Sequence, residues 1–253
     1  MISLKTKKWE LKNIETILFD KDGTFIDLHY FWGKMTELRV QEIIKRFNLT
    51  ENLFGKLCLY LGYDLNSQKM LPDGITALYS RSKIIEIFKN DLEKIGVKTS
   101  EKELEEIFDF VSEKFYKNMQ KYTKPINDAI DFIKKIKSTG TKTGIVTSDS
   151  KQSTLLTLEH FEWEELFDVA IGREDSPHTK ESGEPTKLAL NLLNAHPATT
   201  VMIGDAPMDY ISAKNAGIKN TILVATGQIS KNELLNTSPY AINSLSEIEV
   251  TNN

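Results

Sequence analysis

Five short, largely apolar runs constrain the fold of this chain: Ile17-Leu18-Phe19, Gly144-Ile145-Val146-Thr147, Asp168-Val169-Ala170-Ile171, Val201-Met202-Ile203-Gly204 and Thr221-Ile222-Leu223-Val224. Each is nearly continuous in apolar character, as expected of parallel strands covered on both faces. Helical patterns lie between the last four. Thr186 to Asn194 carries Leu188, Leu192 and Leu193 on one side, and Tyr210 to Ala216 stops at Gly217. Strands alternating with helices predict an α/β fold with a doubly wound parallel sheet.

The rhythm breaks between the first and second runs. Residues 25–122 read as helices over Phe31 to Phe47, Ile75 to Phe88 and Ser100 to Lys121, the last with Leu104, Ile107, Phe108, Val111 and Phe115 at helical spacing. About a hundred residues is far too long for an ordinary crossover. The spacing predicts an all-helical domain over 25–122, inserted into an α/β core made of 1–24 and 123–253. Pro125 opens a further helix (Ile126, Ile130, Ile133, Ile136), and Ala241-Ile242 predicts a late strand.

In open α/β sheets ligands sit beyond the carboxyl ends of the strands, so the residues there carry the functional expectation. The first run ends in Asp20-Lys21-Asp22-Gly23-Thr24. Two carboxylates at i and i+2 on a tight loop can converge on one point, one as nucleophile or metal ligand and the other handling protons. Asp-x-Asp-Gly is equally ordinary turn chemistry. An EF-hand reading fails, because a strand precedes and Phe25-Ile26 follow where further ligands are needed. The second run ends in Thr147-Ser148-Asp149-Ser150, where hydroxyls can meet a phosphate oxygen while Asp149 or Ser150 caps a helix. The fourth ends in Gly204-Asp205-Ala206-Pro207-Met208-Asp209, a second strand delivering an acid to the rim. Asp20 and Asp205 suit a hard cation such as Mg²⁺, and Asp209 suits orienting a ligand water or capping the next helix. Lys180, in the loop 175–185, can neutralise a phosphate or a carboxylate; Lys187 competes for that role, and both residue types are at home on a surface.

Composition excludes several classes. A net charge of −4 with interleaved signs lacks the basic face of a nucleic-acid binder. Lys5-Thr6-Lys7-Lys8 reads as a solvated tail. Cys58 is the single cysteine, so no intrachain disulfide forms. No apolar run approaches the length of a membrane span, and Met1 to Glu10 lacks a secretory apolar stretch, so a cytoplasmic protein without membrane or nucleic-acid partners is expected.

Together these segments resemble the haloacid dehalogenase superfamily, specifically phosphatases of the phosphoglycolate phosphatase type. The likeness spans nearly the whole chain, with the helical insertion as the family's cap. It implies Asp20 as nucleophile and Asp22 as acid/base, with Thr147, Ser148 and Lys180 at the phosphate. It also implies Mg²⁺ held by Asp20, the Asp22 main-chain carbonyl, Asp205 and Asp209. Lys180-Glu181-Ser182-Gly183-Glu184-Pro185 keeps the Glu-Pro of the family's K-P-x-P-E-P but lacks its two earlier prolines. Asp22 favours phosphoryl chemistry over carbon–halogen cleavage.

The implied activity is Mg²⁺-dependent hydrolysis of a small phosphate monoester, phosphoglycolate-like or a sugar phosphate, through an aspartyl-phosphate, by a monomer or homodimer. Phosphosugar mutation, phosphonate hydrolysis and a non-catalytic binding role are the alternatives on this fold. In the insertion, Arg39, Arg46 and Arg81 read as solvated helix-surface residues and His29 as structural.

Overall fold

A computed structural model describes residues 1–252. The chain divides into two compact units, Met1–Asp27 with Lys124–Asn253, and Leu28–Thr123. The strands in chain order are β1 (Ile2–Lys5), β2 (Glu10–Ile14), β3 (Thr16–Phe19), β4 (Tyr63–Asp64), β5 (Lys69–Met70), β6 (Lys142–Val146), β7 (Val169–Ile171), β8 (Thr200–Gly204), β9 (Asn220–Val224), β10 (Ala241–Ile242) and β11 (Glu249–Asn252). The helices are α1 (Leu28–Arg46), α2 (Phe54–Tyr60), α3 (Ile75–Leu78), α4 (Arg81–Lys94), α5 (Glu101–Tyr116), α6 (Met119–Tyr122), α7 (Asn127–Ser138), α8 (Lys151–Phe161), α9 (Glu184–Leu192), α10 (Pro207–Asn215) and α11 (Lys231–Leu234). Among them none is long and apolar enough to cross a membrane.

The first unit is built on a six-stranded sheet in the order β10-β9-β8-β3-β6-β7, parallel throughout. Central β3 is buried along its length, and its side chains alternate between faces. Leu18 packs with Met202 and Val146 on the face covered by Ala189, Leu190 and Leu193 and by Ala213 of α10. Phe19 turns the other way, edge-on to Phe132 of α7 and to Phe167, with ring centroids 6.4 and 6.1 Å apart. This two-sided burial is why the runs read as continuously apolar.

Register aligns Phe19 with Ile145 of β6 and Ile203 of β8, so the ends of all three strands reach one rim. The ladder runs one step further, with the Asp20 N–H donating to the Ile203 carbonyl at 2.8 Å and that of Thr147 to Ile171 at 3.0 Å.

The expected N-terminal tail is instead part of an antiparallel sheet, β11-β1-β2. Lys5 pairs with Glu10 and Glu249 across the two ladders, and Thr6 to Trp9 form the hairpin turn. Ile2, Leu4, Leu11 and Ile14 are buried, and Lys7 and Lys8 stay exposed at the turn.

The second unit is helical apart from the β4–β5 hairpin, whose connection Asp64 closes by accepting from the Asn66 N–H and the Ser67 hydroxyl. The helix expected over Ile75 to Phe88 breaks into α3 and α4, because Tyr79 and Ser80 are extended. Arg39 is buried, not solvated: its guanidinium lies 4.2 Å from the Phe108 ring centroid. Arg46 pairs with Glu42, and Arg81 pairs with Glu105 and Asp109. His29 Nδ1 accepts the Met70 N–H at 3.1 Å, fastening α1 to the hairpin.

Candidate active site

Beyond β3 the chain turns sharply. The N–H groups of Phe25 and Ile26 both donate to the Lys21 carbonyl at 3.1 Å, and that of Gly23 donates to Ile26 at 2.8 Å. Gly23 has φ +87°, a conformation costly for any residue with a Cβ. A Cβ there, or at Gly227 in the loop after β9, would overlap the Asp205 carboxylate. Thr226 locks these loops together, its hydroxyl donating to the Gly23 carbonyl at 2.5 Å.

Asp20, from β3, Asp205, from β8, and Asp209, in the first turn of α10, form one buried group with ligand oxygens within 4.8 Å of one another. Lys180 is 5% exposed and reaches into it, Nζ lying 2.5 Å from Asp20 Oδ1 and 2.6 Å from Asp209 Oδ1. The other Asp209 oxygen accepts the Ala206 N–H at 3.0 Å, so Asp209 both caps α10 and clamps the lysine. Lys187 is elsewhere, half-exposed and paired with Glu184. The loop that presents Lys180 turns on Gly183, φ +81°, directly before α9. A Cβ at Gly183 would strike Asn215.

Three carboxylates against one ammonium leave the cluster short of positive charge. Burial pushes the Asp20 carboxyl up to about 7; Lys180 opposes the shift, and Asp209 and Asp22 add to it. Burial, then Asp20 and Asp209, raise Asp205 well above the carboxylate range. Burial disfavours the Lys180 ammonium, but Asp20 and Asp209 outweigh it and hold Lys180 above its ordinary value. Hard oxygen donors with surplus negative charge at this spacing fit a divalent cation such as Mg²⁺.

The Asp22 carboxylate stands outside this group, Oδ1 lying 2.5 Å from Lys21 Nζ. Thr147 is buried at the end of β6, its hydroxyl accepting the Asp149 N–H at 3.1 Å. Ser148 is exposed, its hydroxyl 3.5 Å from Met208 Sδ. Ser150 caps α8 by accepting the Ser153 N–H.

Residues 67–224 match the model of the haloacid dehalogenase-like hydrolase family. This chain belongs to that family. A relative from Caldanaerobacter subterraneus subsp. tengcongensis, provisionally named pyrophosphatase PpaX, is 30% identical to this hydrolase over 82% of the chain and 80% of its own length. Pyrophosphatase PpaX of Bacillus cereus (strain Q1) is 27% identical over 81% of each. A predicted phosphoglycolate phosphatase from Haemophilus somnus superposes with a TM-score of 0.71 at 14% identity, over 94% of this chain and 97% of that one. For a β-phosphoglucomutase-like structure from Thermotoga maritima the values are 0.67, 20%, 92% and 96%. At those identities the structural likeness is one of fold.

Two features of the site escaped the sequence reading. Lys21, between the two acids of the first loop, is fully buried. The Thr226-Gly227 loop cradles Asp205. A glycine soon after the strand end Val224 was the one available signal for the second; for Lys21 nothing in its own spacing distinguishes it.

Proposed function

We propose that this hydrolase cleaves a small-molecule phosphate monoester, with Asp20 as nucleophile and Mg²⁺ as cofactor. The observation that carries the reading is the buried Asp20–Lys180–Asp209 ion-paired array beside Asp205 at the rim of the sheet. An Asp20 oxygen attacks phosphorus, and the bond from phosphorus to the leaving oxygen breaks as Asp22 gives that oxygen a proton. Asp22 then takes a proton from a water whose oxygen attacks the same phosphorus, returning the Asp20 carboxylate and releasing phosphate. Lys180 holds one Asp20 oxygen in place and offsets charge on the transferring group. The Thr147 and Ser148 hydroxyls donate to phosphoryl oxygens. Mg²⁺, held by Asp20, Asp205 and Asp209 with the Asp22 carbonyl, supplies the remaining charge neutralisation and orientation.

A phosphoanhydride is the second substrate reading, favoured by the relatives named pyrophosphatase. Phosphate release from pyrophosphate, phosphoglycolate and a set of sugar phosphates, with Mg²⁺ or EDTA, tests both. The proposal expects turnover that requires Mg²⁺ and is abolished in Asp20→Asn. Release that persists in EDTA or in Asp20→Asn overturns it, and the preferred substrate chooses between ester and anhydride.

A further inference from the structure

Lys21 follows the nucleophile directly and has no exposed surface, although lysine is among the residues least often buried. Burying an ammonium is costly unless it is paired. Here it is paired twice, with Asp22 Oδ1 at 2.5 Å and Asp149 Oδ2 at 3.0 Å. Asp149 is itself fixed, its N–H donating to the Thr147 hydroxyl at 3.1 Å and its other carboxylate oxygen accepting the Ser150 N–H at 2.7 Å. Lys21 thus ties the loop after β3 to the loop after β6, and the tie ends on the Asp22 carboxylate. That carboxylate is not among the clustered acids, while the other buried ammonium, Lys180, serves Asp20 and Asp209. Each of the two lysines therefore holds a separate set of acids.

We propose that Lys21 is a positioning residue: it fixes the Asp22 carboxylate, through Asp149, at the place from which a proton reaches the leaving-group oxygen. The inference rests on the phosphohydrolase reading above. Its consequence is selective. Proton delivery matters most when the leaving group is a poor one, an alkoxide, and least when it departs readily as an anion. A residue that only supports the loop would affect all substrates alike.

The test is the single-turnover rate of leaving-group release from alkyl phosphates and from p-nitrophenyl phosphate, with the half-saturating concentration read separately. Wild type, Lys21→Arg, Lys21→Gln, Asp149→Asn, Asp22→Asn and the Lys21→Gln/Asp22→Asn double variant are compared. Lys21→Gln is expected to slow alkyl phosphates about 10–100-fold and p-nitrophenyl phosphate less than about 3-fold, without changing half-saturation. Lys21→Arg should recover most of the loss, and the double variant should be no slower than Asp22→Asn alone. Equal losses on every leaving group, or a double variant slowed by the product of the single effects, overturns the proposal. Asp149→Asn keeps both Lys21 and Asp22, and it must show the same leaving-group dependence in weaker form. That comparison decides the matter if Lys21→Gln does not fold, and a flat response in Asp149→Asn overturns the proposal. No release from any phosphate by wild type would instead overturn the phosphohydrolase reading, and this inference with it.

Discussion

Removing metal should make this protein less stable as pH rises through neutrality, opposite to the usual behaviour of paired carboxylates. The Asp20 carboxyl stands near 7 in the folded protein against an ordinary value of 3.8. Between those values the folded chain binds more protons than the unfolded one, so stability falls with rising pH across the window and levels off above about 7. The whole shift corresponds to about 4 kcal/mol as an upper bound. From about pH 5.5 to about pH 8 the linkage relation gives about 2 kcal/mol for Asp20 alone. Asp205 is displaced in the same direction and titrates with it as a pair. With a urea m-value of about 2 kcal/mol/M, the midpoint should drop by about 1 M over that interval. The assay is urea unfolding in EDTA at both pH values and constant ionic strength, for wild type and Asp20→Asn, so that the difference isolates the site from all other titrating groups. Asp20→Asn should lose the share of the slope that Asp20 contributes while the share of buried Asp205 remains, and saturating Mg²⁺ should suppress both in wild type. A wild-type minus variant difference that is the same at both pH values, or that grows in favour of wild type at about pH 8, refutes the reasoning.

Other perturbations test the remaining parts of the site. Lys180→Met leaves Asp20 and Asp209 buried without their cation and should cost about 3–5 kcal/mol in metal-free protein near neutral pH, measured by the same urea titrations. Gly227→Ala drives a Cβ into the Asp205 carboxylate; Mg²⁺ affinity by calorimetry should fall by about 10-fold or more while the circular dichroism spectrum is retained. Asp22→Asn should lower steady-state kcat on alkyl phosphates by about 10²–10⁴-fold with little change in KM, as expected for loss of general acid/base catalysis.

The parallel sheet was legible because every strand near its centre is buried on both faces, so Ile17-Leu18-Phe19 and Val201-Met202-Ile203 announce themselves without knowledge of their neighbours. Asp20 and Asp205 were legible for the same reason, standing where such a run stops. Lys180 was a different case. As a residue type it belongs on a surface, and only the resemblance preferred it over Lys187; the ion pairs to Asp20 and Asp209 are tertiary facts. The N-terminal sheet escaped because β1 takes β11, at the far end of the chain, as one of its partners, and each of β1 and β2 offers only a short apolar face. Arg39 and Lys21 escaped by one mechanism. A buried cation is tolerable only beside what neutralises or stacks on it, and those partners, Phe108 and Asp149, come from distant segments. The break at Tyr79 interrupts an apolar pattern that continues on either side, so periodicity alone could not reveal it.

The central claim is that phosphorus becomes covalently bound to Asp20. The direct measurement is acid quench of the enzyme during turnover of its best phosphate substrate with Mg²⁺, followed by proteolysis and mass spectrometry of the peptide that contains Asp20. The account predicts an added phosphoryl group on that residue in wild type and none in Asp20→Asn. Sustained turnover with no phosphoryl group on Asp20, or the same adduct on another side chain, would contradict it.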